Sequence, residues 1–225
     1  MNVAIRADAG PAIGTGHVMR MMALANACGQ LGARVTMLCG DLPLGLVHRL
    51  TRNGITVQQL ESSRCDESDA AETLAFANDL GADWIILDGY RFDRSYQQKI
   101  ASSNALLMMM DDGEVADRSI VDVVLNQNVY AADETQSDRF LGGCEYTLLR
   151  SEFLSAAASE TKPTRKFAKR LLVTLGGCDD EDWTKRVLSS LASESMRKLV
   201  VDVVVGAGYR HLESCLLYTS PSPRD

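Results

Sequence analysis

The sequence predicts an α/β fold built on a parallel sheet, and three observations carry that reading. Short β-rich runs alternate with stretches whose apolar residues recur at helical spacing. A loop holding Gly10, Pro11, Gly14 and Gly16 separates the first strand from the first helix. After a small-residue, proline-bearing stretch at 155–164, the order strand, glycine pair, helix, strand begins again.

Taken in order, residues 3–6 are the first strand. From His17, the residues Val18, Met21, Met22, Ala25 and Cys28 line one helical face, and Gly32 stops that helix. A second strand spans 34–39, a short helix 44–52 closes at Gly54, and a third strand spans 55–60. The acidic run Asp66-Glu67-Ser68-Asp69 suits a helix start, where carboxylates meet the positive end of the dipole, and this helix runs to Leu80-Gly81. A buried strand at 84–87 ends at Asp88-Gly89-Tyr90. A helix at about 93–101 leads to a strand at 105–110, which ends at Asp111-Asp112. A strand at 121–125 ends at Asn126-Gln127-Asn128, and a polar loop then leads to the short run 146–150. The methionines Met21, Met22 and Met108 to Met110 read as core filler.

These elements predict a Rossmann-like catalytic domain at 1–154, a linker at 155–167 and the opening of a second Rossmann-like domain at 168–215. In that second part a strand at 170–175, Gly176-Gly177, a helix at 181–191 and a strand at 199–205 are too few to close a core. The expectation is therefore a truncated second domain, an inactive chain, and a non-native tail at 216–225, rich in Ser and Pro. Resequencing the locus tests this, because a genuine stop codon directly after Asp225 would remove it.

Composition narrows the partners. The 225 residues carry a net charge of −7, which argues against an extended nucleic-acid surface, since phosphate binding needs a positive footprint. A single diphosphate remains compatible, because backbone N–H groups at a helix start can hold it. No apolar run approaches the roughly 18 residues that span a bilayer. The start resembles no secretory leader. The six scattered cysteines, without a CxxC, read as reduced thiols and not as a zinc site. The expectation is a cytoplasmic protein without membrane, nucleic-acid, metal or cofactor partners.

The strongest constellation is Arg6 and Asp8 with Gly14-Thr15-Gly16-His17-Val18-Met19-Arg20, between the first strand and helix. Ligands of open α/β sheets bind at the carboxyl ends of strands, where this loop lies. It is not a phosphate loop with Lys-Ser/Thr, and Met19 stands where a dinucleotide fingerprint needs its third glycine. What remains is a glycine loop delivering a histidine to a helix start, a position that favours the neutral imidazole a general base must be. A helix-capping histidine without chemistry is the competing reading. Tyr90 could orient a sugar hydroxyl or a water, and Asp88 could bind a sugar or orient His17. Each also fits a strand-end turn. Asp111-Asp112 reads as turn chemistry sooner than as a metal pair, and Asn126 and Asn128 as substrate contacts or loop-fixing amides. Gly176-Gly177 could approach a pyrophosphate or serve only a tight turn. His48 and His211 read as surface residues without partners.

Six stretches then carry a family resemblance: RADAGPAIGTGHVMRMMALA, WIILDGY, MDDGE, DVVLNQN, YTLLRSEF and VTLGGCDD, in that order across 1–180. With them the chain resembles the UDP-2,4-diacetamido-2,4,6-trideoxy-β-L-altropyranose hydrolases of pseudaminic acid biosynthesis. Those enzymes are relatives of MurG-type GT-B glycosyltransferases and of SpsG-like spore-coat proteins. The resemblance implies a GT-B-like fold, with an active site in a cleft between two Rossmann-like domains. It implies a UDP-sugar substrate, hydrolysed at the anomeric C–O bond with inversion and without a metal. His17 takes the place of the catalytic histidine and Tyr90 that of the active-site tyrosine. Arg6, Asp8, Gly14, Gly16, Arg20, Asp88, Asn126, Gly176 and Gly177 are the candidate substrate contacts. A diphosphate held by N–H donors leaves readily, so the main requirement is a base on water. Two other readings stand beside this one. One is a GT-B glycosyltransferase with an acceptor in place of water; the other is a nucleotide-sugar-binding module without catalysis.

Overall fold

The computed structural model describes residues 1–11, 13–113, 115–133, 139–157, 166–193, 199–206 and 208–216. They fall into two compact units, Met1–Ser159 and Glu160–Asp225. In the first unit β1 (Asn2–Ala7), β2 (Arg34–Cys39), β3 (Thr56–Gln59), β4 (Trp84–Asp88), β5 (Leu106–Met110), β6 (Val123–Asn126) and β7 (Phe140–Gly142) form one sheet. Its order is β3-β2-β1-β4-β5-β6-β7, and every neighbouring pair is parallel. Between the strands run α1 (Gly16–Gln30), α2 (Leu44–Arg52), α3 (Glu67–Asp79) and α4 (Arg94–Ile100), and α5 (Ser151–Ala157) ends the unit.

Parallel strands covered on both faces are apolar throughout, and β4 and β5 are so buried. Strand alternation divides the core into two layers. Val3, Ile5 and Ala7 pack with Val18, Met21, Met22 and Ala25 of α1 on one face. Ala4, Ile85, Leu87 and Met109 pack with Ala70 and Ala77 of α3 and Tyr96 and Ile100 of α4 on the other. Arg6 is an even position of β1 and therefore points toward α3, which decides its role below.

The predicted boundaries of the first six strands and four helices lie within two residues of those observed, and 34–39 and 44–52 coincide with β2 and α2. The stretch after β6 differs. Residues 140–142, read as loop, form the edge strand β7. The run at 146–150 only closes a 3-10 turn, Cys144–Tyr146, and α5 occupies 155–157, the start of the expected linker. A three-residue edge strand holds too few residues to display a period. Only its pairing with β6, and Phe140 buried beneath the Arg118 guanidinium 4.3 Å from the ring centroid, reveal it. The rest of the polar linker, 158–165, and the tail from 217 on lie outside the described residues.

The second unit contains β8 (Arg170–Val173), α6 (Trp183–Leu191), β9 (Val200–Val203) and α7 (Leu212–Leu216). β8 and β9 pair in parallel. Gly206 is required where it stands, because a Cβ there would lie 2.3 Å from the Gly177 carbonyl oxygen.

Candidate active site

From β1 the chain moves outward on one side to β2 and β3, while β4 pairs with the other side of β1. Such a reversal opens a crevice beyond the carboxyl ends of the two central strands. The loop from β1 to α1 and the residues that follow β4 border that crevice. Gly10 and Gly14 close the loop with reciprocal backbone bonds of 2.7 and 3.1 Å, and Gly14 adopts φ +78°, a conformation that glycine enters without steric cost. Thr15 precedes α1 without a side-chain capping bond, and the first turn carries no acidic residue. Apart from its chain neighbours and the backbone of its own helix, no described atom lies within 4 Å of where a Cβ on Gly16 would project, which leaves the helix start open to a ligand.

His17 sits in that first turn and is 6% exposed. Its Nδ1 is 2.7 Å from Oδ1 of Asp88, the buried last residue of β4. One turn on, Arg20 donates from Nε to Asp88 Oδ2 at 2.6 Å and from Nη2 to Oδ1, a two-pronged contact. Its Nη1 reaches Asp112 Oδ2 at 2.8 Å. A carboxylate only accepts, so the 2.7 Å contact with Asp88 favours a hydrogen on His17 Nδ1 and a lone pair on Nε2, whereas Arg20 Nη2, a donor only, lies at the longer distance of 3.3 Å from the same Nδ1. No described residue hydrogen-bonds Nε2. Tyr90 meets the imidazole edge-on with centroids 4.9 Å apart, and its hydroxyl lies 3.5 Å from Asp112 Oδ2.

Electrostatics favour these charge states. Burial works against both the Arg20 charge and the Asp112 carboxylate. Their mutual contacts, with Asp88 also on Arg20, outweigh it, so Arg20 is raised and Asp112 lowered from their ordinary values. Desolvation, then the Asp112 charge, push the Tyr90 phenol up, so it is a donor near neutral pH.

The structure thus brings together Gly14, Gly16, His17, Arg20, Asp88 and Tyr90. Arg6 and Asp8, expected as ligand contacts, are bound into an internal ion-pair network. Arg6 has no exposed surface. Its Nε and Nη2 reach the two Asp69 oxygens at 3.0 and 2.7 Å, and Nη1 reaches Asp8 Oδ1 at 2.6 Å. Asp8 Oδ1 also accepts from Gly40 and Asp41 backbone N–H at 2.8 and 3.1 Å, tying the end of β1 to the loop after β2. The physical reason is strand alternation, which drives Arg6 under α3, where a buried cation persists only among carboxylates. Desolvation works against the Asp69 carboxylate, yet Arg6 holds it below its ordinary range. Asn126 also turns inward, its Oδ1 accepting from the backbone and side-chain nitrogens of Asn128 at 3.1 and 3.0 Å.

Asp112 was missed as a site residue. Its neighbour Asp111 is the turn residue, accepting backbone N–H from Gly113, Val115 and Ala116. The available signal was a second strand-end aspartate one strand over from Asp88. His48 is exposed as expected, but His211 is half-buried, with Nε2 3.0 Å from the Asp180 carbonyl and its ring against Tyr209. Among the described residues no group of three or more His, Cys, Asp or Glu is disposed to hold a metal ion. No described helix is long and apolar enough to cross a membrane.

Gly176 and Gly177 precede α6 in the second unit, with Gly176 at φ +84°. The start of α6 is closed by its own side chains. Asp179 accepts from Trp183 and Thr184 N–H at 2.9 and 2.8 Å, and Asp182 from Lys185 N–H at 3.4 Å. A hollow of about 550 Å³ in the first unit, lined by Asn26, Gly29, Asn53, Gly54 and Ser151 among others, lies at the amino ends of β2 and β3. That is the opposite end of the sheet from His17, and none of the site side chains line it.

No protein-family model matches the chain. Over 219 residues it is 24% identical to an uncharacterized protein of Methanocaldococcus jannaschii, covering 94% of this chain and 44% of that one. The chain therefore spans less than half the length of that curated relative. Solved structures share the fold, among them the three that follow. MurG of Acinetobacter baumannii matches at a TM-score of 0.55 and 12% identity, over 91% of this chain and 67% of its own. A glycosyltransferase from Rickettsia africae matches at 0.57 and 12%, over 91% and 68%. MnaA of Staphylococcus aureus, solved with UDP, matches at 0.57 and 9%, over 96% and 66%. The fold is α/β and GT-B-like.

Proposed function

We propose that the protein is a nucleotide-sugar hydrolase acting on UDP-2,4-diacetamido-2,4,6-trideoxy-β-L-altropyranose, with His17 as the general base. Water attacks the anomeric carbon as the C–O bond to UDP breaks. The water proton passes to His17 Nε2, UDP leaves as its oxyanion, and the free sugar is released for pseudaminic acid synthesis. Asp88 holds the tautomer and faces the positive charge that forms on the imidazole, while Tyr90 orients the sugar or the water. The observation that carries this reading is His17 itself, buried, tied through Nδ1 to Asp88 and left with an acceptor nitrogen at the switch point of the sheet. The motifs of the hydrolase family support the substrate, and a structural neighbour solved with UDP supports the nucleotide. No cysteine among the described residues is in a disulfide, in keeping with a cytoplasmic enzyme. The likeness to a glycosyltransferase favours a second reading, transfer of the sugar to an acceptor.

The test assays both this chain and the product of the full reading frame at its locus, with water as sole acceptor and a chelator present. UDP release is expected from the product of the full reading frame and not from this chain, and His17→Ala in that product should abolish it while UDP affinity stays within about twofold, because the base acts in the chemical step. Turnover surviving His17→Ala would sink the base assignment. Turnover that needs an added acceptor would favour the transferase, and UDP-sugar binding without turnover under either condition a binding module.

A further inference from the structure

The proposed water attack leaves Asp112 and Tyr130 unused, and with Tyr90 they form one group. Tyr90 and Tyr130 are 59% and 58% exposed, yet their rings are held in place. Tyr130 donates its hydroxyl to the Asp112 carbonyl oxygen at 3.2 Å and accepts from Asn128 Nδ2 at 3.1 Å. Tyr90 packs against His17 and over Gly113, where a Cβ would come within 3.3 Å of the ring. Asp112 meets both tyrosines, its Oδ2 3.5 Å from the Tyr90 hydroxyl and its backbone carbonyl bonded by Tyr130, and one-fifth of its side chain is exposed. Its Oδ2 is taken by Arg20, its own backbone N–H also bonds the carboxylate, and no other described residue donates to Oδ1. Arg20 carries one positive charge against two carboxylates, Asp88 and Asp112, so Asp112 keeps its appetite for a donor. An exposed carboxylate oxygen selects N–H and O–H groups, and fixed aromatic faces suit C–H and methyl groups.

We infer that Asp112, flanked by Tyr90 and Tyr130, is the sugar-recognition subsite. Its Oδ1 accepts a hydrogen bond from a sugar hydroxyl or acetamido N–H, and the tyrosine rings pack against the sugar's C–H and methyl groups. This rests on the nucleotide-sugar reading above and extends it from the reacting bond to the residues that choose the sugar. In this assignment Asp112 and Tyr130 hold the sugar and not the attacking water, so both act on affinity before chemistry.

The experiment titrates UDP and the diacetamido UDP-sugar separately into wild type, Asp112→Asn, Tyr130→Ala and Tyr130→Phe. Asp112→Asn is expected to weaken the UDP-sugar roughly tenfold or more, the scale of a lost hydrogen bond to a charge, with UDP affinity unchanged. Tyr130→Ala should weaken it by about three- to tenfold, while Tyr130→Phe, which keeps the ring, retains most of the affinity. In turnover, Tyr130→Ala should raise KM and spare kcat, a split that a loss of fold does not produce. Equal weakening of UDP and UDP-sugar, or no weakening, would overturn the subsite. Failure of wild type to bind UDP or the UDP-sugar would sink the nucleotide-sugar reading itself, and the subsite with it.

Discussion

Among the helices that follow a strand and a glycine-bearing loop, α1 and α6 have first turns with opposite fates. The start of α1 has no side-chain cap and no acidic residue, and it carries His17 and Arg20. The start of α6 is filled by Asp179 and Asp182, which both adopt left-handed backbone at φ 46° and 52° to reach the N–H groups. Left-handed aspartate costs conformational energy, which the capping bonds offset. The lesson is that a strand–glycine–helix pattern alone does not make an anion site. What matters is whether the helix start is already used by its own chain.

That contrast can be broken by experiment, beginning with the largest effect. Asp88→Asn replaces the acceptor of the Nδ1 hydrogen with an amide that can donate, favouring the tautomer without a lone pair on Nε2. Turnover should fall by about 10²- to 10⁴-fold with UDP affinity retained, as steady-state kinetics beside calorimetry would show. Undiminished turnover would mean that α1 merely carries a capped histidine. At α6, Asp179→Ala removes the acceptor of two backbone N–H groups and of the Thr184 hydroxyl. Denaturant unfolding of the second unit should show a loss of about 1–2 kcal/mol. Thr15→Asp supplies α1 with the cap it lacks. It should stabilise the first unit by about 0.5–1 kcal/mol while weakening UDP, since the new carboxylate competes for the same N–H groups. Tighter UDP binding in that variant would contradict an open anion site at α1.

The smallest effect is in pH. Desolvation would raise the Asp179 carboxyl, but the Thr184 hydroxyl and the Thr184 and Trp183 N–H groups hold it below its ordinary value. A depressed carboxyl stabilises the fold above its unfolded pKa of about 3.9, and this contribution fades as pH falls through the lower folded value. Melting temperatures between pH 5 and pH 2 should therefore fall less steeply for Asp179→Ala than for wild type.

How much was legible in advance differs between fold and site. The alternation of periods placed the strands and helices of the first unit up to β6, and it placed Gly14, Gly16, His17, Asp88 and Tyr90 at strand ends, where ligands bind. Arg6 and Asp8 looked like part of the same loop, and the structure ties both into a buried ion-pair network with Asp69. Asp112 looked like a turn residue and proved to be the second partner of Arg20.

The sequence by itself determined the α/β class, most element boundaries, and the delivery of one histidine to the first turn of α1. Those follow from local rules, because period, glycine and capping chemistry act over a few residues. Only the tertiary structure decided which charges meet. Arg6 finds Asp69 across 63 residues, and Arg20 finds Asp88 across 68 and Asp112 across 92. Those meetings depend on the order 3-2-1-4-5 of the strands, which no local period encodes. The same order turned His17 from a residue at a helix start into an imidazole bonded through Nδ1 to a buried carboxylate.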